Sequence, residues 1–145
     1  MVILDDQMEN ADISRKGGSS LAKFFTQESH HRNLTVVFIV QNLFHQSKMM
    51  RTVSLNSQYV VLYKNPRDKH QIENLGRQMY PNNVRFLTSA FEDATAPPYG
   101  YLIVDLRPET PDTLRVRADV FSSKEQTVYV SNKQYASIKG KRKSD

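Results

Sequence analysis

Two carboxylates stand side by side at the end of an apolar run, where Val2-Ile3-Leu4 leads into Asp5-Asp6. In that pattern the first acid can hold the magnesium of a nucleotide, usually through water, because a hard cation takes oxygen ligands. The second can polarise a water for in-line attack on the γ-phosphate. A second apolar run, Thr35-Val36-Val37-Phe38-Ile39-Val40, ends in Gln41-Asn42. An amide at that place can sense the γ-phosphate or position the attacking water. The acidic pair alone also admits a plainer role, since an aspartate at a strand end can simply cap the following turn. Gln41 on a neighbouring strand adds weight to the nucleotide reading.

Other reactive side chains point elsewhere. There is no cysteine, which excludes disulfides and thiolate metal sites and fits a reducing compartment. His30-His31 falls near an expected helix end, where such a side chain complements the helix dipole. Neither His45 nor His70 belongs to an H-E-x-x-H or similar ligand spacing, so the histidines read as structural. Phe24-Phe25 and Met49-Met50 read as core or subunit-interface residues.

The elements that must position these groups follow from periodicity. Residues 2 to 5 form a short apolar strand, and Gly17-Gly18-Ser19-Ser20 is a flexible break. Ser20 can cap a helix that buries Leu21, Phe24 and Phe25. Thr35–Val40 is β-branched and apolar throughout, as expected of a strand covered on both faces. A short helix around Met49–Leu55 precedes a third strand of the same buried type, Tyr59-Val60-Val61-Leu62-Tyr63. Asn65-Pro66 breaks the chain, and Asp68 with Gln71 forms a capping box for a helix whose inner face is Ile72, Leu75, Gly76 and Met79. Val84, Leu87, Thr88 and Phe91 mark another short helix. Tyr99–Leu106 and Leu114–Phe121 read as two strands around a turn at Pro108–Pro111. In the second of these strands Leu114, Val116, Ala118 and Val120 alternate with Arg115, Arg117 and Asp119, one face buried and one wet. Strands separated by helices predict an α/β domain with a mainly parallel three-layer sheet and a C-terminal antiparallel hairpin. No internal repeat is present.

Several segments together resemble the genome-packaging ATPases of Polinton (Maverick) elements and adintoviruses, members of the FtsK/HerA superfamily related to poxvirus packaging ATPases. They are Val2-Ile3-Leu4-Asp5-Asp6, Ser29-His30-His31-Arg32-Asn33, Val37-Phe38-Ile39-Val40-Gln41-Asn42-Leu43-Phe44 and Tyr63-Lys64-Asn65-Pro66-Arg67-Asp68. Phe91-Glu92-Asp93-Ala94-Thr95 and Pro98-Tyr99-Gly100-Tyr101-Leu102 complete the set. The resemblance spans residue 2 to about residue 121. It implies a RecA-like (P-loop NTPase) fold and a homo-oligomeric ring that uses ATP and magnesium to drive double-stranded DNA into a capsid. Asp5 then matches the magnesium-binding Walker B acid. Asp6 matches the catalytic acid, although many FtsK-like proteins carry the longer glutamate there. Gln41 matches the polar sensor. Such motors also use an arginine from a neighbouring subunit to neutralise transition-state charge, and Arg51 and Arg67 are the candidates.

The family's G-x-x-x-x-G-K-[ST] loop is absent from these 145 residues. Gly140-Lys141 lacks the first glycine, the preceding strand and the following helix. In RecA-like sheets the strand leading to that loop inserts between the sensor strand and the one after it. The gap is therefore expected beside Thr35–Val40 and Tyr59–Tyr63, leaving apolar edges open. The expectation is a C-terminal part of the motor domain, residues 1–121, inactive alone. Residues 122–145 are expected to be a polar, basic, disordered tail.

Bulk properties set the competing reading. With 39% hydrophobic and 24% charged residues the chain suits a globular domain, and no apolar run reaches membrane-spanning length. There is no secretory leader pattern, so an intracellular, nuclear location is expected. The net charge of +5, with Lys139, Lys141, Arg142 and Lys143 crowded at the end, is compatible with nucleic acid. The alternative function is therefore a non-catalytic α/β module that binds nucleic acid through this tail, or a structural fragment.

Overall fold

A computed structural model describes residues 1–5, 34–44, 48–122 and 125–141. The expected helix beginning near Ser20 lies outside the described residues, as do Asp6, His30, His31 and His45. The chain divides into two compact units, residues 1–57 and 58–145.

The first unit contains β1 (Val2–Asp5), β2 (Val36–Ile39) and α1 (Lys48–Asn56). The two strands pair in parallel, with Val2 opposite Val36 and Asp5 opposite Ile39. Val2 N–H donates to the Thr35 carbonyl at 2.8 Å and extends the ladder by one rung. The second strand was expected to be covered on both faces and the first to be buried. They are not, since Val2, Leu4, Val36 and Phe38 are half-buried while Ile3, Val37 and Ile39 are exposed. Side chains alternate across a strand, so covering one face only leaves every second apolar residue in water. On α1, Met50 and Val53 are buried.

The second unit holds β3 (Tyr59–Tyr63), α2 (His70–Met79), α3 (Val84–Ala94), β4 (Tyr101–Asp105), a 3-10 turn at Asp112–Leu114, β5 (Val116–Ala118), β6 (Thr127–Tyr129) and α4 (Asn132–Lys141). Its sheet runs β3-β4-β5-β6 and every pairing is antiparallel. Among the described residues the protein is thus a mixed α/β chain with one parallel strand pair and one antiparallel sheet, whereas a mainly parallel sheet was expected. The reason lies in the β3–β4 connection. Two helices, not one, separate these strands, and the chain re-enters the sheet at the end where it left, with Tyr63 opposite Tyr101. A single crossover helix would have delivered a parallel neighbour.

The helices pack as their periodicity dictates. Ile72, Leu75 and Gly76 of α2 and Leu87, Ala90 and Ala94 of α3 are buried, together with Val60, Leu102, Val104, Val116 and Ala118 from the sheet. Each fully buried leucine or valine contributes about 1.5–3 kcal/mol. Gly76 lets the two helices approach, because a Cβ there would meet Val84 Cγ1 at 3.2 Å. The expected capping box at Asp68 takes another form. Gln71 Nε2 donates to Asp68 Oδ2 at 2.9 Å, and the helix starts only at His70 with no side-chain cap.

The loop into β4 is tightly closed. Gly100 N–H donates to the Pro97 carbonyl at 3.1 Å, and a Cβ on Gly100 would collide with the Ala94 carbonyl oxygen and crowd Pro97 O at 3.0 Å. Backbone carbonyls cannot swing aside as a side-chain end can. Gly100→Ala is therefore expected to destabilise the chain by about 2 kcal/mol or more. Chemical denaturation checks this, and an unchanged midpoint would show that the loop relaxes freely.

Residues 122–145 were expected to be disordered, yet they supply β6 and α4. Ser131 N–H donates to Gln134 Oε1 at 2.8 Å and Gln134 N–H to Ser131 Oγ at 3.3 Å, a reciprocal capping box that opens α4. The expected second hairpin strand is also shorter, ending at Ala118 because Asp119 turns the chain with a left-handed φ of 56°.

Candidate functional site

The parallel register of β1 and β2 decides where the expected site residues fall. Asp5 is the last residue of β1 and lies opposite Ile39, the last residue of β2, with Gln41 two residues further on. Both side chains therefore stand at the carboxyl end of the parallel pair, the end at which open α/β sheets bind ligands. Asp5 and Gln41 are exposed. Asn42 takes a different part, its Oδ1 accepting the Phe44 N–H at 2.9 Å to close the turn after the strand.

Arg51 is exposed on α1 of the same unit. Arg67 belongs to the other unit, exposed on the β3–α2 loop, where its backbone N–H donates to Asn65 Oδ1 at 3.0 Å. Asp6 lies outside the described residues. Among the described residues no three His, Cys, Asp or Glu side chains gather as a metal cage. A magnesium–nucleotide complex does not need one, because the metal takes one or two carboxylates and fills its other positions with phosphate oxygens and water. An accessible Asp5 carboxylate is a donor of the right kind.

The second unit contains a carboxylate that inspection of the sequence passed over. Asp105, at the end of β4, is fully buried and is gripped by two arginines. Arg107 donates from Nε to Oδ1 at 3.1 Å and from Nη2 to Oδ2 at 2.9 Å, while Arg117 Nη2 reaches Oδ2 at 2.8 Å. Arg107 also lies over the Tyr59 ring, 5.0 Å from its centroid. Arg115 Nη1 donates to the carbonyls of Asp105 and Arg107 at 3.1 and 2.8 Å, tying the strand end to β5. The Arg107 hydrogen bonds hold the Asp105 carboxyl down to about 2 against the desolvation that would raise it. A carboxylate so acidic and so fully engaged is no general base, because efficient proton transfer needs a value near the working pH. Asp5 and Asp105 both end apolar strands, yet one is exposed and the other is the anchor of an ion-pair network. The signal for the second was present in the alternation of β5, whose register sets Arg117 opposite Ile103, diagonal to Asp105.

Comparison with protein-family models, curated proteins and solved structures gave no match to this chain.

The functional reading therefore rests on residues and geometry. A further polar contact joins β6 to α3, with Tyr129 Oη donating to Asp93 Oδ2 at 2.7 Å. Burial, reinforced by this bond to a carboxylate, pushes the Tyr129 hydroxyl above its ordinary range. It remains protonated at any physiological pH and serves to pin the last strand.

Proposed function

We propose that this chain is the C-terminal part of the motor domain of a DNA-packaging ATPase of the FtsK/HerA type, working in a homo-oligomeric ring on double-stranded DNA that it delivers to a capsid. The observation that carries the reading is the parallel pairing of β1 with β2. That pairing puts Asp5 and Gln41 at one end of adjacent strands, as a magnesium-binding acid and a γ-phosphate sensor require.

In this account Asp5 would be the residue that holds magnesium, and Gln41 would hydrogen-bond the attacking water or a γ-phosphate oxygen. Asp6 accepts a proton from that water at its carboxylate. Bound magnesium–ATP supplies the phosphoryl group and neutralises charge on its oxygens. Arg51 or Arg67 acts on the nucleotide of a neighbouring subunit. The ring, the capsid partner and a nuclear site of action belong to the same proposal.

These 145 residues contain no G-x-x-x-x-G-K-[ST] loop to cradle the phosphates. The isolated chain is therefore expected to show no magnesium-dependent ATP hydrolysis above background, with or without duplex DNA, in a phosphate-release assay. Turnover of about 1 s−1 or faster would be ordinary enzyme performance and would refute this division of labour.

A further inference from the structure

The end of the antiparallel sheet where β3 leaves and β4 enters carries a row of aromatic rings, the outer two facing water and Tyr101 half-buried between them. Tyr63 and Tyr101, paired across the strands, have ring centroids 6.1 Å apart, and Tyr101 and Phe121 follow at 6.2 Å. Tyr63 is 63% exposed and Phe121 is 86% exposed. A large apolar ring left this open, next to two others, is the kind of surface that marks a binding site.

The row is held in place. Phe121 N–H donates to the Tyr101 hydroxyl at 3.3 Å, and Ser122 N–H closes a turn on the Asp119 carbonyl at 2.9 Å. Asp119 opens that turn in the left-handed region, and Tyr99, two residues before Tyr101, adopts the same region at φ 61° while 96% exposed. A tyrosine in that conformation persists only where its surroundings enforce it, and such enforced positions gather at functional sites. The tight packing around Gly100 supplies the enforcement here.

The segment that leaves the Tyr63 end of the sheet is basic. Lys64 follows Tyr63 in the chain, and Arg67 and Lys69 are exposed on the same loop. Asp68 on the same loop accepts from Gln71 Nε2 at 2.9 Å and Asp119 accepts from Thr127 Oγ1 at 3.2 Å, which fixes both carboxylates in place without removing their charge. Stacking rings alongside cations is the combination that binds single-stranded nucleic acid, bases on the rings and phosphates on the cations. We infer that Tyr63, Tyr101 and Phe121, flanked by Lys64, Arg67 and Lys69, form a binding platform for single-stranded nucleic acid. This surface is distinct from the Asp5–Gln41 end of the parallel pair, and its test uses no nucleotide triphosphate, so its failure leaves the ATPase reading untouched.

Fluorescence anisotropy of the 145-residue chain with a labelled oligodeoxythymidylate tests the platform. The comparison strand has the same length and charge but abasic sites in place of thymidines. The base-bearing strand is expected to bind about fivefold more tightly or better, the gain from stacking at least one base. Phe121→Ala and Tyr63→Ala each remove that advantage, Phe121→Tyr keeps it, and Lys64→Glu weakens both strands and flattens the salt dependence. Far-UV circular dichroism of Phe121→Ala is expected to match the unsubstituted chain, because that ring is mostly in water. Equal binding of the two strands, binding of neither, or unchanged binding by Phe121→Ala overturns the proposal. Self-association that depends on Phe121, seen by sedimentation without any nucleic-acid binding, also overturns it and makes the rings a protein–protein contact.

Discussion

Asp105→Asn is expected to destabilise the second unit by about 3 kcal/mol, enough to consume a large part of a small domain's stability. The substitution keeps the shape of the side chain but removes its charge and turns one acceptor oxygen into a donor facing other donors. Two guanidiniums would then face a neutral amide in a place where they make three hydrogen bonds to the carboxylate, beside a fourth from the Arg107 backbone N–H. Breaking a buried pair by removing one partner costs about 3–5 kcal/mol, because the remaining charge stays desolvated. The lower end applies here, since Arg107 and Arg117 keep 34% and 23% of their side-chain surface in water. Urea unfolding of the two chains measures the difference, and a loss below about 1 kcal/mol would demote the cluster to a surface ion pair. The pH dependence has a definite sign. The carboxyl is held at about 2 in the folded chain, below the ordinary ~3.9 of an unfolded aspartate. Its contribution is therefore complete above pH ~4 and disappears as pH falls toward ~2. The asparagine variant is expected to lack that part of the acid slope.

Asp6→Asn, made in a polypeptide that also carries the phosphate-binding loop, is expected to lower ATP turnover by about 10²–10⁴-fold, the range for losing a general base. The amide cannot take the proton of the attacking water, yet it nearly preserves size and polarity. Nucleotide binding should therefore change far less than kcat. Asp5→Asn should differ in kind. It weakens the hold on magnesium, so its defect is expected to shrink as magnesium is raised, whereas that of Asp6→Asn is not. A loss below about tenfold for Asp6→Asn would move the proton-accepting role to another residue. The contrast between the two neighbours is the informative part, since both point to the same reaction but only one touches the metal.

Local pattern revealed the elements better than it revealed their partners. The apolar runs at Val2–Asp5 and Tyr59–Tyr63 form strands with those bounds, and the helical faces of Ile72-Leu75-Gly76 and of Leu87 turn inward. The pairing was less legible, because direction depends on how many helices intervene and not on the strand residues. Burial on both faces was over-read at Val37, Ile39 and Val61, since a β-branched run shows that a strand can be covered but not that a covering layer is present. The end of the chain was under-read. Ser131 and Gln134 have capping-box spacing, but the helix they open has no apolar stripe to call attention to it, so its polar composition looked like a tail. At the site, Asp5 and Gln41 were legible because each ends an apolar run. Asp105 ends one too, with Arg107 only two residues on making most of its hydrogen bonds, but its full burial and the Arg117 contact, twelve residues away, arise only from strand register.

The coding sequence immediately before Met1 tests the central claim most directly. The account predicts an in-frame strand followed by G-x-x-x-x-G-K-[ST], which would place the phosphate cradle ahead of Asp5 in one polypeptide. An in-frame stop codon there, or continuous coding sequence without such a loop, would contradict the assignment of this chain to a working packaging motor.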